Sequence, residues 1–535
     1  MVHVVMPEDK SPEVHTLASG RDRVRVFTGL DHRPTLAETI VLATRPIQRM
    51  TRLRQTGLAF LVYPTSEQTR MAHCLGTTYW VATFIESMRT NDFAGDVGDG
   101  AAPAGSRARL AQLDAQLGPD LSFDLLARLF ALIHDSDLLP LGHTLSHQLG
   151  HYDTPGQATR FQRYIDRVRA EVVESSGFAE IEDDRLRAAA VTCLLRHLDA
   201  VEAIAALREV IAGGDYEHPR LSRADIAALL PAGLIIDDLV TSTVSADLLD
   251  FALRDTLGAG MPWNFDTRLL ESVCTFATPV TDDVAVLLKE HGGLLASTPH
   301  IYRFGLNARR EGGRAHEVTT AVISLLRVRY EVLERIVYHR RKCAADAMVD
   351  RAIRNIGERF RSTVTEETLL RIGDDEFLDL VAREESTVAF PDGTGPAMPD
   401  LLAGRLFAEV YRLTDWTRLS DYGRSAAEAA ESPAHRTEVE ERVVASVPGL
   451  RSCDIVFSSR PLSMQLKEPD TLIGWDDGAT LPLAEIARGF DYATEALGLT
   501  DRYASLWSLS IYLRAGAAPA IRDRVRLAAA ELLER

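Results

Sequence analysis

Along most of this chain apolar residues return every three or four positions, the period of a helix with one face turned inward. From Glu67 to Met88 small and apolar side chains recur at that spacing through TRMAHCLGTTYWVATFIESM. Leu121–Ile133 (LSFDLLARLFALI) is apolar on nearly every side, as a buried helix is. The Ala/Leu-rich run from Asp184 stops at Gly213–Gly214, a plain helix end. A long helical run is expected from about Ala315 to Phe360, because neither Pro nor Gly occurs between Arg314 and Ile356. After Pro448 the pattern changes. RSCDIVFSSRPL, TLIGWDDGATLPL and SLWSLSIYLRA are short, β-rich and punctuated by turns, which predicts strands. Ala94–Ser106 and Thr387–Asp400 lack any period, are rich in Gly, Pro and Ala, and read as mobile surface loops. The expected fold class is mainly α: a helical core over residues 1–360, with short strands and helices at its start, and a smaller α+β lobe over 361–535.

Composition narrows the function. Hydrophobic residues make up 46% and charged residues 25% of the 535 positions, as in ordinary globular chains. With 59 basic and 77 acidic side chains the formal charge is −18, which argues against nonspecific binding to nucleic acid or to anionic membranes. A small anionic substrate remains compatible, since a bound cation and a few arginines reverse the field locally. The five cysteines form no CxxC, so neither a disulfide framework nor a zinc knuckle is expected. No apolar leader opens the chain and no apolar stretch approaches the ~20 residues of a membrane span, so the expectation is a cytoplasmic protein.

Four scattered residues are candidates for shared chemistry: His73 in TRMAHCLG, His134 and Asp135 in ALIHDSD, and Asp247 in VSADLLDFALRD. Two imidazoles and two carboxylates suit one octahedral divalent ion such as Mn, Fe, Mg, Co or Ni, and leave about two positions open. Without thiolates, structural zinc is disfavoured. Taken singly, each has an ordinary reading: a hydrogen-bonded core histidine, a chance dipeptide at a helix end, a surface acid or cap.

Order and surroundings change that balance. PIQRMTRLRQTGLAFLVYPTSEQTRMAHCLG (46–76), HDSDLLPLGHTLSH (134–147), SADLLDFALRDTLGAG (245–260) and VLERIVYHRRKCAADAM (332–348) together resemble the deoxynucleotide triphosphohydrolase branch of the HD superfamily, and a fainter similarity covers DIVFSSRPLSMQLKEPD and DRYASLWSL. The resemblance implies an all-helical HD core, a homo-oligomer, and cleavage of (deoxy)nucleoside triphosphates to nucleoside and triphosphate. It implies that His73, His134, Asp135 and Asp247 hold the metal. Gln55 then touches the sugar, Arg70 the α-phosphate side, Phe251 and Asp255 the 3′-hydroxyl, and Arg335 a phosphate, with His339 beside the pocket. His143 matches the family's retained histidine. His147 and His151 extend it at four-residue spacing, so the three are candidates for proton transfer.

The chain also departs from the family pattern. Leu138 and Leu248 stand where a histidine and a lysine are common, Phe251 replaces a tyrosine, and Thr56 and Cys343 replace the bulky pair that crowds a 2′-hydroxyl. Two other readings therefore stay open: a 5′-nucleotidase acting on monophosphates, and a non-catalytic HD protein that binds nucleotide and signals.

Overall fold

The computed structural model describes residues 9–534 apart from 28–29, 93–104, 143, 146–150, 152–156, 212–217, 262, 264–265, 280–299, 311–312, 391–394, 430–431, 461–470, 476–479, 483–497, 500 and 504. The architecture is mainly helical with small sheets, as the apolar period predicts. Three helices frame the centre of the larger core. Helix α1 (Arg70–Asn91) begins where the Thr69 hydroxyl accepts the Ala72 N–H at 3.2 Å, a side-chain cap for an amide the helix leaves unpaired. Helix α2 (Phe123–Ile133) is buried at every residue, which explains its uniformly apolar sequence. Helix α3 (Asp184–Ile211) follows the Ala/Leu run, and α4 (Arg223–Thr241) starts on a reciprocal cap between Ser222 and Asp225. Helix α5 (Ala246–Gly258) starts at Ser245, whose hydroxyl accepts the Leu248 N–H. Helix α1 packs against both α2 and α5.

The segment Arg223–Gly258 is long and apolar enough to cross a membrane, contrary to the sequence expectation, and 78% of its most apolar 18-residue window is buried inside the protein. Here apolarity serves the core: α4 and α5 are separated by the extended residue Ser242 and the cap at Ser245.

The long run expected from Ala315 to Phe360 is divided. Helix α6 (His316–Val332) widens into a π turn at Leu333–Val337, where the Tyr338 N–H reaches back to the Leu333 carbonyl at 2.8 Å. His339 is extended, and its Nδ1 accepts the Arg341 N–H to start α7 (Arg340–Ile356). Histidine thus takes the capping place that composition assigns to Ser, Thr, Asp or Asn. A short helix, Glu358–Thr363, follows Gly357, whose φ of 69° is left-handed.

Strands also occur inside the helical region. β1 (Val273–Pro279) and β2 (His300–Asn307) pair antiparallel, with Val273 opposite Leu306 and Phe276 opposite Arg303. Buried residues face both sides of β2, which erases the alternation that marks a half-exposed strand. Of the predicted C-terminal strands, β5 (Leu472–Gly474) lies parallel to β2 and β6 (Thr480–Pro482) completes this four-stranded sheet. β3 (Ala408–Leu413), β4 (Ile455–Ser459) and β7 (Leu509–Leu513) form a separate antiparallel sheet with β7 central. That sheet packs with Asp421–Glu428, α8 (Pro433–Ser446) and α9 (Pro519–Leu533) around a second apolar cluster that starts at Tyr411. Phe377, Val381, Met398 and Leu401 belong to the first cluster, so the chain after residue 360 continues the main core before building the second. Most of the Ala94–Ser106 loop and part of Thr387–Asp400 lie outside the described residues.

Candidate metal centre

His73 lies in the first turn of α1, His134 closes α2 with Asp135 directly after it, and Asp247 lies in the first turn of α5. The packing of these helices brings the four together. His73 Nε2 is 2.9 Å and His134 Nε2 3.8 Å from the same oxygen, Asp247 Oδ1. The two oxygens of Asp135 stand 3.8 Å from the same two nitrogens, Oδ2 from His73 and Oδ1 from His134. Both Nε2 atoms are buried without an aligned hydrogen bond, while the opposite nitrogens are engaged: His73 Nδ1 with Asp250 Oδ2 and His134 Nδ1 with the Ala131 carbonyl, each at 2.8 Å. Such an arrangement, with the far nitrogen tethered and the near one turned to carboxylates, is what an imidazole ligand needs. His73, His134 and Asp247 can hold a metal ion.

The electrostatics agree. Burial pushes the His73 imidazole down, but the carboxylates of Asp247 and Asp250 reverse this and bring it up to about 10. Burial opposes charge on His134 too, and Asp135 and Asp247 carry it well above the ordinary histidine value. Desolvation raises Asp247, yet the facing His134 and His73 rings hold it well below the usual carboxylate range. The carboxylates thus favour positive charge between them, and a divalent cation would meet the same donors.

Around this centre Arg70 donates to Asp135 Oδ2 at 2.5 Å and to the Gln55 carbonyl at 2.9 Å, leaving its Nε buried and unpaired. Gln55 Oε1 and Asp255 Oδ1 are likewise buried acceptors without a partner. Burial pushes the Asp255 carboxyl up to about 7, against the pull of His73 and Arg70 nearby. Phe251, one turn after Asp247, packs half-buried on the main core. Arg335 lies on the π turn with its guanidinium half exposed beside Met261 Sδ at 3.9 Å, and its carbonyl accepts the Tyr63 hydroxyl at 2.8 Å. The same Tyr63 ring meets His339 edge-on at 5.8 Å. Burial and then Arg340 and Arg341 lower the His339 imidazole below its ordinary value.

The structure therefore gathers the four metal candidates with Gln55, Arg70 and Asp255, and joins Arg335 to His339 through Tyr63. His143 and His147 lie outside the described residues. His151 is buried, with its Nε2 2.8 Å from Asp350 Oδ1 of α7, a carboxylate that Arg354 and Arg436 also bond. Leu138 and Leu248 are buried apolar residues, and Thr56 bonds Ser66 at 3.1 Å.

The chain was compared with protein-family models and with curated proteins. Neither comparison finds a match.

Three residues that sequence reasoning passed over support the centre. Asp250 and Arg254 follow Asp247 by three and seven positions, a helical stripe legible in DLLDFALRD. Gly76, one turn after His73, is required because a Cβ there would stand 1.7 Å from Asp250 Oδ1. A second buried group with donors at metal spacing, Asp199, Glu202 and His218, is already compensated: Arg220 bonds both carboxylates and Arg169 bonds Asp199.

Proposed function

We propose that this chain is a metal-dependent phosphohydrolase acting on nucleotides, with (deoxy)nucleoside triphosphates cleaved to nucleoside and triphosphate. The observation that carries the reading is the convergence of His73, His134, Asp135 and Asp247, far apart in sequence, with two buried imidazole Nε2 atoms facing carboxylates. These residues fit a divalent ion, which when bound supplies Lewis-acid polarisation of a phosphate oxygen and a water of lowered pKa. Arg70 orients Asp135 through its Nη1 and keeps a buried, unpaired Nε. Gln55 Oε1 and Asp255 Oδ1 are unsatisfied acceptors, a combination that suits the donor of a sugar hydroxyl. Arg335, half exposed on the π turn with its Nε 3.8 Å from Glu334 Oε2, meets the outer phosphates in this reading. His143 or His147 carries the proton in this reading.

Phosphomonoester hydrolysis is a second reading, favoured by Leu138 and Leu248, buried apolar side chains where the resembling family keeps polar or charged groups. Incubating Mn²⁺-loaded protein with matched mono- and triphosphates, with products separated by chromatography, tests both. Intact triphosphate plus nucleoside supports the first reading, and orthophosphate from monophosphates alone supports the second. Binding without turnover would leave only a nucleotide-binding protein.

A further inference from the structure

The buried Asp250–Arg254 pair adjoins the centre on the far side of the His73 ring. Asp250 Oδ2 accepts from His73 Nδ1 at 2.8 Å. Arg254, one turn along α5, grips the same carboxylate at two points, Nε to Oδ2 and Nη2 to Oδ1, both at 2.8 Å. Its Nη2 also reaches the Val26 carbonyl at 3.1 Å, which ties the pair to the strand segment near the N-terminus. Both side chains are buried. Gly76 on α1 leaves the space they occupy: a Cβ there would stand 1.7 Å from Asp250 Oδ1 and 2.7 Å from Arg254 Nη2.

Resting on the metal-centre reading above, we propose that Asp250, locked by Arg254, is a positioning residue that fixes the His73 ring and its tautomer so that Nε2 presents a lone pair to the cation. The carboxylate keeps the proton on Nδ1, and a neutral ring then has its lone pair on Nε2. Two-point contact with a planar guanidinium holds the carboxylate at one angle, which a single hydrogen bond does not. Asp250 thus does through His73 what no atom of its own does directly.

The test is Co²⁺ titration, read by visible absorption and by competition with a chelating dye, together with denaturant unfolding of the metal-free protein. The proteins compared are wild type, Asp250→Asn, the double variant Asp250→Asn/Arg254→Met, and Arg254→Lys. Asp250→Asn is expected to weaken Co²⁺ binding by about 10- to 100-fold, the usual effect of losing such a partner. The double variant removes both buried charges, so its metal-free unfolding midpoint recovers toward wild type while Co²⁺ binding stays equally weak. A merely structural pair predicts the opposite, and wild-type affinity in the double variant overturns the proposal. Arg254→Lys keeps the charge but not the two-point grip, so it covers the case in which the other variants fail to fold. It is expected to weaken Co²⁺ binding several-fold with an altered absorption envelope, and unchanged affinity and spectrum count against the proposal. If wild type itself takes up no Co²⁺, the metal-centre reading fails and this inference with it, an outcome distinct from tight binding by every variant.

Discussion

His151 Nε2 lies 2.8 Å from Asp350 Oδ1, and the carboxylate it meets is also bonded by Arg354 and Arg436. Through Arg354 the contact continues to Glu440 on α8, which in turn accepts the Phe457 N–H of β4. The histidine therefore belongs to the seam that joins α7 to the second core. Burial alone would raise Asp350, but Arg354, Arg436 and His151 hold it far below the usual carboxylate range.

One expectation follows for catalysis and stability together. His151→Gln, which can still donate to Asp350, should keep near-normal nucleotide turnover and lose about 1 kcal/mol of unfolding free energy. Asp350→Ala should cost about 3–5 kcal/mol, because it removes the buried carboxylate that Arg354, Arg436 and His151 share. Urea unfolding beside a turnover assay separates the two effects. A collapse of turnover in a well-folded His151→Gln would return His151 to the proton-transfer role.

For the metal centre, removing Asp247 takes away the oxygen that faces both imidazoles. Asp247→Ala should abolish Mn²⁺ uptake, measured by elemental analysis after gel filtration, and with it all hydrolysis. Wild type should gain about 2.7 kcal/mol of stability at a metal concentration 100 times its Kd. No such gain should appear in Asp247→Ala.

Asp255 supplies a pH test. Its carboxyl rises from an ordinary 3.8 to about 7 in the metal-free fold, chiefly through burial. Below about pH 4 the group is protonated folded and unfolded alike; between about pH 4 and 7 only the folded state retains the proton, so stability falls as pH rises through that window. Asp255→Asn removes this loss. Relative to wild type it should be unchanged near pH 4 and more stable above pH 7, by a few kcal/mol at most, on the order of 4 from the size of the shift. Thermal melts of metal-free protein across the range decide it, and a difference that does not vary with pH would place the raised carboxyl elsewhere.

Gln55 and Asp255 also bear on the sugar. A site built to bond a hydroxyl rejects an analogue lacking it by ~10⁴-fold, whereas crowding discriminates less. Matched assays of dATP, ATP and 2′,3′-dideoxy-ATP should show strong dependence on the 3′-hydroxyl and only modest preference between ribose and deoxyribose. In the proposed reading Thr56, turned toward Ser66, and Cys343 take the place of a bulkier pair and do not crowd a 2′-hydroxyl. Equal turnover of the dideoxy compound would remove the role assigned to Gln55 and Asp255.

Gly76→Ala gives a further check on the α1–α5 contact. The new Cβ would collide with Asp250 Oδ1, so one helix must shift or the carboxylate must leave His73. Crowding of this kind costs about 1–3 kcal/mol. Metal affinity should fall as well, measured by the same Co²⁺ titration, whereas Ala at the solvent-facing Gly404 should leave it unchanged.

Much of this arrangement is legible one residue at a time. Periodicity by itself determined the mainly helical class, the positions of α1, α2 and α3, and the β-rich texture after Pro448, because burial on one face or on all faces is written directly into the order of apolar side chains. The four metal candidates were also readable, through the motifs around them. Other features have no local signature. A π turn and a histidine cap divide the run from Ala315 to Phe360, since a backbone N–H can choose its acceptor without any Gly or Pro to announce it. The stretch 223–258, which is apolar enough for a membrane, is instead wrapped by protein. His151 shares a four-residue spacing with His143 and His147, yet it is claimed by Asp350 from a helix some 200 positions later. Spacing ranks residues on one helix face. Only tertiary packing decides which charge meets them across the interior, because a buried charge must find its partner wherever the fold brings one.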